Sequence, residues 1–154
     1  MKKVFKSGFS FIELFIVLSI LAILIAIILS TFVSIRKNEA LNKDTENIVQ
    51  ILRQARSETL TSQNASQYGV HFSAQMITIY TGPTYSSPNA TNRDFILGED
   101  DSIITINLAS GGNNIIFNRL TGETNQNGII VVSSPTTGRT KTVTVYKTGL
   151  VESN

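Results

Sequence analysis

At 154 residues the chain has room for one modest domain beyond any segment spent on a membrane. It contains no cysteine, which excludes a disulfide framework and a thiolate metal site. The formal net charge of +2 and the pI near 9 suggest a basic protein, yet three of the thirteen basic residues, Lys2, Lys3 and Lys6, precede Gly8. Beyond Gly8, ten basic residues face eleven acidic ones, a formal charge of −1, so overall basicity does not argue for nucleic-acid binding.

In chain order, the stretch from Ser7 to Arg36 comes first and organises the rest. From Leu14 through Ile35 it carries 22 uncharged residues, almost all Leu, Ile, Val, Ala or Phe. As a helix those residues span roughly 33 Å, enough to cross a hydrocarbon core of about 30 Å. The lysines just before it place the N-terminus in the cytoplasm and everything after Arg36 outside. From Arg36 onward the apolar run becomes amphipathic. Leu41, Thr45, Ile48, Leu52, Ala55 and Thr59 recur at spacings of four and three, with Val49 and Leu60 beside them. Neither Gly nor Pro occurs from Phe9 to Ser62, so the pattern predicts one helix of about 54 residues, or about 80 Å, ended by Gln63-Asn64-Ala65-Ser66.

The remainder reads as β-structure. Tyr68–Phe72 and Met76–Tyr80 form a predicted hairpin around Ser73-Ala74-Gln75, followed by a polar loop from Thr81 to Arg93. Further strands are expected at Ile103–Leu108, Asn114–Phe117, Ile129–Val132 after the Asn127-Gly128 turn, and Thr140–Tyr146. In the last of these Val143 and Val145 face one way, and Thr142, Thr144 and Tyr146 the other. The expected fold is α+β, an antiparallel sheet with one helix across it.

Glu13 is the residue that composition leaves unexplained. A carboxylate carried to the bilayer centre costs about 2.5–3.5 kcal/mol, and no cation lies within a helical turn on its C-terminal side. A secretory signal peptide would end in a small-residue cleavage site after its apolar core, and none follows here. Gly8-Phe9-Ser10-Phe11-Ile12-Glu13-Leu14 resembles the N-terminal signature of type IV pilins and pseudopilins. That resemblance implies cleavage between Gly8 and Phe9 by a prepilin peptidase, methylation of Phe9, and a Glu13 that neutralises the amino terminus of a neighbouring subunit. It divides the chain into a leader (1–8), an assembly helix in the membrane (9–36) and an extracytoplasmic domain (37–154), the last comprising an amphipathic helix (37–62) and a β region (68–151). One departure stands out: major pilins often carry a kinking proline at the mature twenty-second position, which here is Ser30, and the first proline is Pro83. Tyr68-Gly69-Val70-His71-Phe72, Ile116-Phe117-Asn118-Arg119-Leu120-Thr121-Gly122, Gly128–Val132 and Thr148-Gly149-Leu150-Val151 resemble, more loosely, the GspH/FimT branch of pseudopilins and minor pilins.

The residues offer little for catalysis. His71 is the only histidine and alternates away from Val70 and Phe72, toward solvent, so nucleophilic triads and His-rich metal sites lack parts. Glu99-Asp100-Asp101, near Asp94, has the oxygen ligands for a hard cation such as Ca²⁺, but its spacing matches no EF-hand loop, and a solvated acidic turn is the simpler reading. Gly111-Gly112 precedes a strand and cannot cradle phosphate at a helix start. Asn64-Ala65-Ser66 and Asn89-Ala90-Thr91 match glycosylation sequons within polar loops that produce such matches by chance. No cofactor is expected, and the chain reads as the substrate of an enzyme rather than as one.

The expected function is a structural, minor subunit of a type II secretion pseudopilus or a type IV pilus. Its implied partners are the prepilin peptidase/methyltransferase, other pilin or pseudopilin subunits met through the N-terminal helix, and the inner-membrane assembly machinery. Its implied place is the bacterial inner membrane, single-pass, and then a periplasmic or extracellular filament. Two alternatives stand beside it. In one, Arg119, Arg139, Lys141 and Lys147 gather into a DNA-binding patch, against the simpler view of them as solvated strand-edge charges. In the other, the chain is a plain membrane-tethered domain.

Overall fold

A computed structural model describes residues 10–154. The chain divides into two compact units at Arg36/Lys37. Helix α1, Phe11–Leu60, is continuous through 50 residues, ending close to the expected Ser62. Its first unit is the apolar one: α1 contains a window of mean hydropathy 3.2 in which no residue is buried.

In the second unit, Leu41, Thr45, Ile48, Val49, Leu52, Ala55 and Thr59 of α1 are all buried, the predicted stripe, and Ile51 joins them. Leu60 does not; it is 38% exposed in the last turn. The helix stops without a glycine, because Ser62, Asn64 and Ala65 all adopt positive φ. Here the polar cluster acts through left-handed backbone, which Asn in particular tolerates.

Eight strands follow: β1 (Tyr68–Phe72), β2 (Met76–Thr81), β3 (Arg93–Ile96), β4 (Ser102–Leu108), β5 (Asn114–Ile116), β6 (Gly128–Ser134), β7 (Arg139–Val145) and β8 (Val151–Ser153). They form two antiparallel four-stranded sheets, ordered β3-β2-β1-β5 and β4-β6-β7-β8, where the sequence predicts one. The Gly111-Gly112 turn does not close a hairpin, since β4 pairs with β6 in one sheet and β5 with β1 in the other. Strand β3 is unexpected from its sequence. Its register against β2 is supported by Thr78, whose hydroxyl donates to Asp94 Oδ1 at 2.6 Å, and by Arg93, whose guanidinium makes a two-pronged pair with Glu58 of α1.

One core joins the helix to both sheets. Val70, Phe72, Ile77, Ile79 and Ile115 come from the first sheet, and Ile103, Ile130, Val132, Val143 and Val145 from the second. Each is 0–7% exposed and packs with Ile48 and Leu52 of α1 in one cluster. Burying a side chain of this kind contributes about 1.5–3 kcal/mol, and a cysteine-free domain depends on that sum. The outer face of the first sheet is covered in part by the 82–92 loop. Tyr85 of that loop stacks on His71 (ring centroids 3.9 Å apart) and meets Tyr80 edge-on at 5.5 Å. Under Tyr80 lies Gly69, where a Cβ would stand only 2.5 Å from the ring.

Candidate functional site

Gly8 and Phe9 lie outside the described residues, so the expected cleavage and methylation sites are left at the level of sequence. Glu13 is placed: it sits in the first turn of α1, and its Oε2 accepts the backbone N–H of Ser10 at 3.3 Å. Glu13 thus supplies one half of a capping box, the acid three residues into the helix returning to the N-cap amide of Ser10. The pattern of Ser followed three residues later by Glu, just before an apolar run, was the signal for it. A carboxylate there also meets the positive end of the helix dipole. Among the described residues no cationic side chain pairs with Glu13, which remains exposed.

Below Glu13, α1 presents apolar side chains on all sides. Leu14, Val17, Leu21, Leu24, Ile28 and Ile35 are each between 51% and 65% exposed, and nothing within this unit covers them. Such all-round apolarity is the property of a helix meant for lipid or for other helices. Arg36 closes the stretch, its guanidinium 5.9 Å from the Phe32 ring.

The four basic residues considered for a nucleic-acid patch fall in two places. Arg139 and Lys141 share β7 and project to the same face two residues apart. Lys141 borders a cavity with Asn42, Glu46 and Ser153, in acidic company. Lys147 lies beyond the other end of β7, about 26 Å of extended chain from Arg139. Its carbonyl accepts the Thr124 N–H at 2.9 Å. Arg119 is in the exposed turn that Arg56 anchors through Gly122. No single surface collects all four.

His71 is not directed to open solvent as its alternation suggests. It is half-buried, with Asn114 Oδ1 2.7 Å from its Nδ1 and the Tyr85 ring covering its face. Strand alternation points a side chain away from the core, but only the long loop decides whether that outer face is covered. Thr78, its cross-strand neighbour, spends its hydroxyl on Asp94, so the row Asp94, Thr78, His71, Asn114 contains no activated nucleophile.

The acidic turn also departs from expectation. Asp100 is tied to Lys37 at 2.7 Å and accepts the Thr136 hydroxyl at 3.1 Å, and both hold its carboxyl below the usual carboxylate range. Asp101 is not solvated: it is 1% exposed. Burial, reinforced by the facing carboxylate of Asp44, pushes its pKa up to about 6. Asp44, on α1, is not legible from sequence as part of this cluster, because it lies 57 positions before Asp101. Asp94 stands apart with Thr78 on the outer sheet face.

These observations describe a long apolar helix head, a helix-backed pair of antiparallel sheets, and no catalytic constellation among the described residues. The sequence model of a family described as type II transport protein GspH matches residues 44–149, more than half of the chain. The chain belongs to the GspH family. The match begins at Asp44, so membership rests on the second half of α1 and the sheets, independently of the N-terminal signature. The GspH family is one of structural pseudopilins and implies a minor subunit of a type II secretion pseudopilus that interacts with other pseudopilins. The single apolar helix fits an inner-membrane anchor of such a GspH protein. No curated protein and no solved structure matches the chain.

Proposed function

We propose that this GspH-type chain is stored in the inner membrane by residues 9–36 with its 37–154 domain outside. The prepilin peptidase cuts between Gly8 and Phe9 and methylates Phe9, and the assembly machinery then draws the product into a pseudopilus. The observation that carries this reading is an exposed carboxylate, Glu13, at the head of an uncharged stretch whose large apolar side chains, such as Leu14, Leu21 and Ile28, nothing in their own unit buries. Once out of lipid, those side chains must be buried against neighbouring helices. At about 25 cal/mol per Å² that burial outweighs any single ionic contact. Glu13 therefore sets axial register by meeting the new amino terminus of an adjacent subunit, while the apolar face supplies the affinity.

The separation of Arg139 and Lys141 from Arg119 and Lys147 gives no support to a DNA-uptake role. A plain tether leaves Glu13 without a task beyond its helix cap.

Intact mass of the membrane-extracted protein tests the proposal. Loss of Met1–Gly8 together with one added methyl group is the expected result. A polypeptide still beginning at Met1, with no associated filament, overturns it.

A further inference from the structure

The acidic turn between β3 and β4 holds a buried charge without a counter-charge. The Gly98 N–H donates to Asp44 Oδ2 at 2.6 Å. Asp101 Oδ2 converges on the same point, since a Cβ built on Gly98 would lie 3.2 Å from Asp44 Oδ2 and 3.8 Å from Asp101 Oδ2. Asp101 is 1% exposed, and among the described residues no cationic side chain pairs with either of its carboxylate oxygens. Beside it the equally buried Ser134 hydroxyl has no partner other than Asp101 itself. The cation that Asp100 receives, Lys37, is committed to Asp100 at 2.7 Å, and Thr136 binds Asp100 as well. Asp101 thus faces another carboxylate across a gap lined by oxygen.

Buried carboxylates are paired, protonated or bound to a metal. An all-oxygen donor set with no sulfur or imidazole selects a hard divalent cation over zinc or copper. We propose that Asp44, Asp101 and Ser134 bind a hard divalent cation of the Ca²⁺ class, pinning the 97–101 turn to α1. No third Asp, Glu or His side chain completes a metal-holding group among the described residues. Water and backbone carbonyls must fill the remaining positions, which sets the affinity in the range of about 10⁻⁴–10⁻³ M usual for extracellular modules.

The test uses the full chain in detergent micelles, stripped with EDTA, then titrated with CaCl₂ and separately with MgCl₂ by calorimetry and thermal unfolding. The expected result is one Ca²⁺ per chain with a rise in Tm. Asp101→Asn and Asp44→Asn should each weaken binding at least about tenfold and abolish the rise, as losing one of two carboxylates from so small a site requires. Glu99→Gln, at an exposed neighbour outside the cluster, should bind as the native chain does. If Asp101→Asn does not fold, Asp44→Asn at its half-buried position decides alone. Two outcomes overturn the proposal. One is no binding of either cation up to about 10 mM, well above the stated range, which would mean that the two carboxyls share a proton instead. The other is binding that survives both substitutions, a diffuse effect of surface acids.

Discussion

The Arg56 guanidinium of α1 donates from Nε to the Gly122 carbonyl oxygen at 3.0 Å, and from Nη2 to the Thr148 carbonyl at 3.2 Å. One side chain thereby ties the helix to two turns, and at their junction Gly149 passes so close that a Cβ would lie 1.9 Å from the Gly122 oxygen. Gly149 is also at φ +77, where a side chain is strained in any case. Arg56→Ala should cost about 2 kcal/mol, the scale of charge-assisted hydrogen bonds. Gly149→Ala should cost more, because backbone has to move. Urea denaturation of the full chain in detergent checks both, and equal stability of Gly149→Ala and native protein would refute the packing argument.

Glu13 has two separable duties, one in its own helix and one in an assembly. A glutamine keeps the half capping box with Ser10 but removes the charge. Glu13→Gln should therefore leave the helix and membrane storage intact while filament incorporation falls sharply. Glu13→Ala should lose incorporation too, and in addition up to about 1 kcal/mol of helix stability. Normal incorporation of Glu13→Gln, scored by cross-linking to other subunits, would reduce Glu13 to a cap.

The pH dependence follows from Asp101. Its pKa is raised from 3.8 to about 6 in the folded chain, so the native state holds its proton more tightly than the unfolded state. Its contribution is fully present below about pH 4 and is lost as pH rises through 6, a swing on the order of 2–3 kcal/mol. In EDTA, Asp101→Asn should abolish this decline and exceed the native chain in stability at pH 7.5. Identical thermal unfolding curves for the two proteins from pH 4 to pH 7.5 would contradict the assignment.

Gly69 lies beneath the Tyr80 ring, with room for no side chain. Gly69→Ala should displace Tyr80, uncover its buried hydroxyl and disturb the Tyr85–His71 stack, at a cost of about 1–3 kcal/mol, typical of overpacking. Near-ultraviolet circular dichroism reports the tyrosines directly, and an unchanged spectrum would show that the ring is not held as described.

DNA binding should be weak and undirected. The paired substitutions Arg119→Ala/Lys147→Ala and Arg139→Ala/Lys141→Ala should alter affinity for duplex DNA by less than about threefold at 150 mM salt, because neither pair forms part of one continuous basic surface. Tight binding that falls steeply with salt and disappears with either pair would revive the uptake reading.

Much of this protein was legible before its tertiary structure. The uncharged run after Glu13, the stripe from Leu41 to Thr59 and the alternation of Val143 and Val145 are local periodicities, and each appears in the fold where periodicity puts it. Periodicity tells which side chains leave water but not what they meet. It could not say that β4 and β5, joined by Gly111-Gly112, belong to different sheets, because strand pairing is decided by partners far away in sequence. It missed β3, whose Arg93 and Asp94 look like loop residues until Glu58 and Thr78 bond to them. It left Asp101 in solvent and His71 in the open, since only the folded chain brings Asp44 and Ser134 to the first and Tyr85 to the second. The sequence by itself determined the elements and their core-facing sides, because those depend on neighbours within a turn or a strand. The tertiary structure alone decided which charges are buried together, because burial depends on contacts that the chain makes across its whole length.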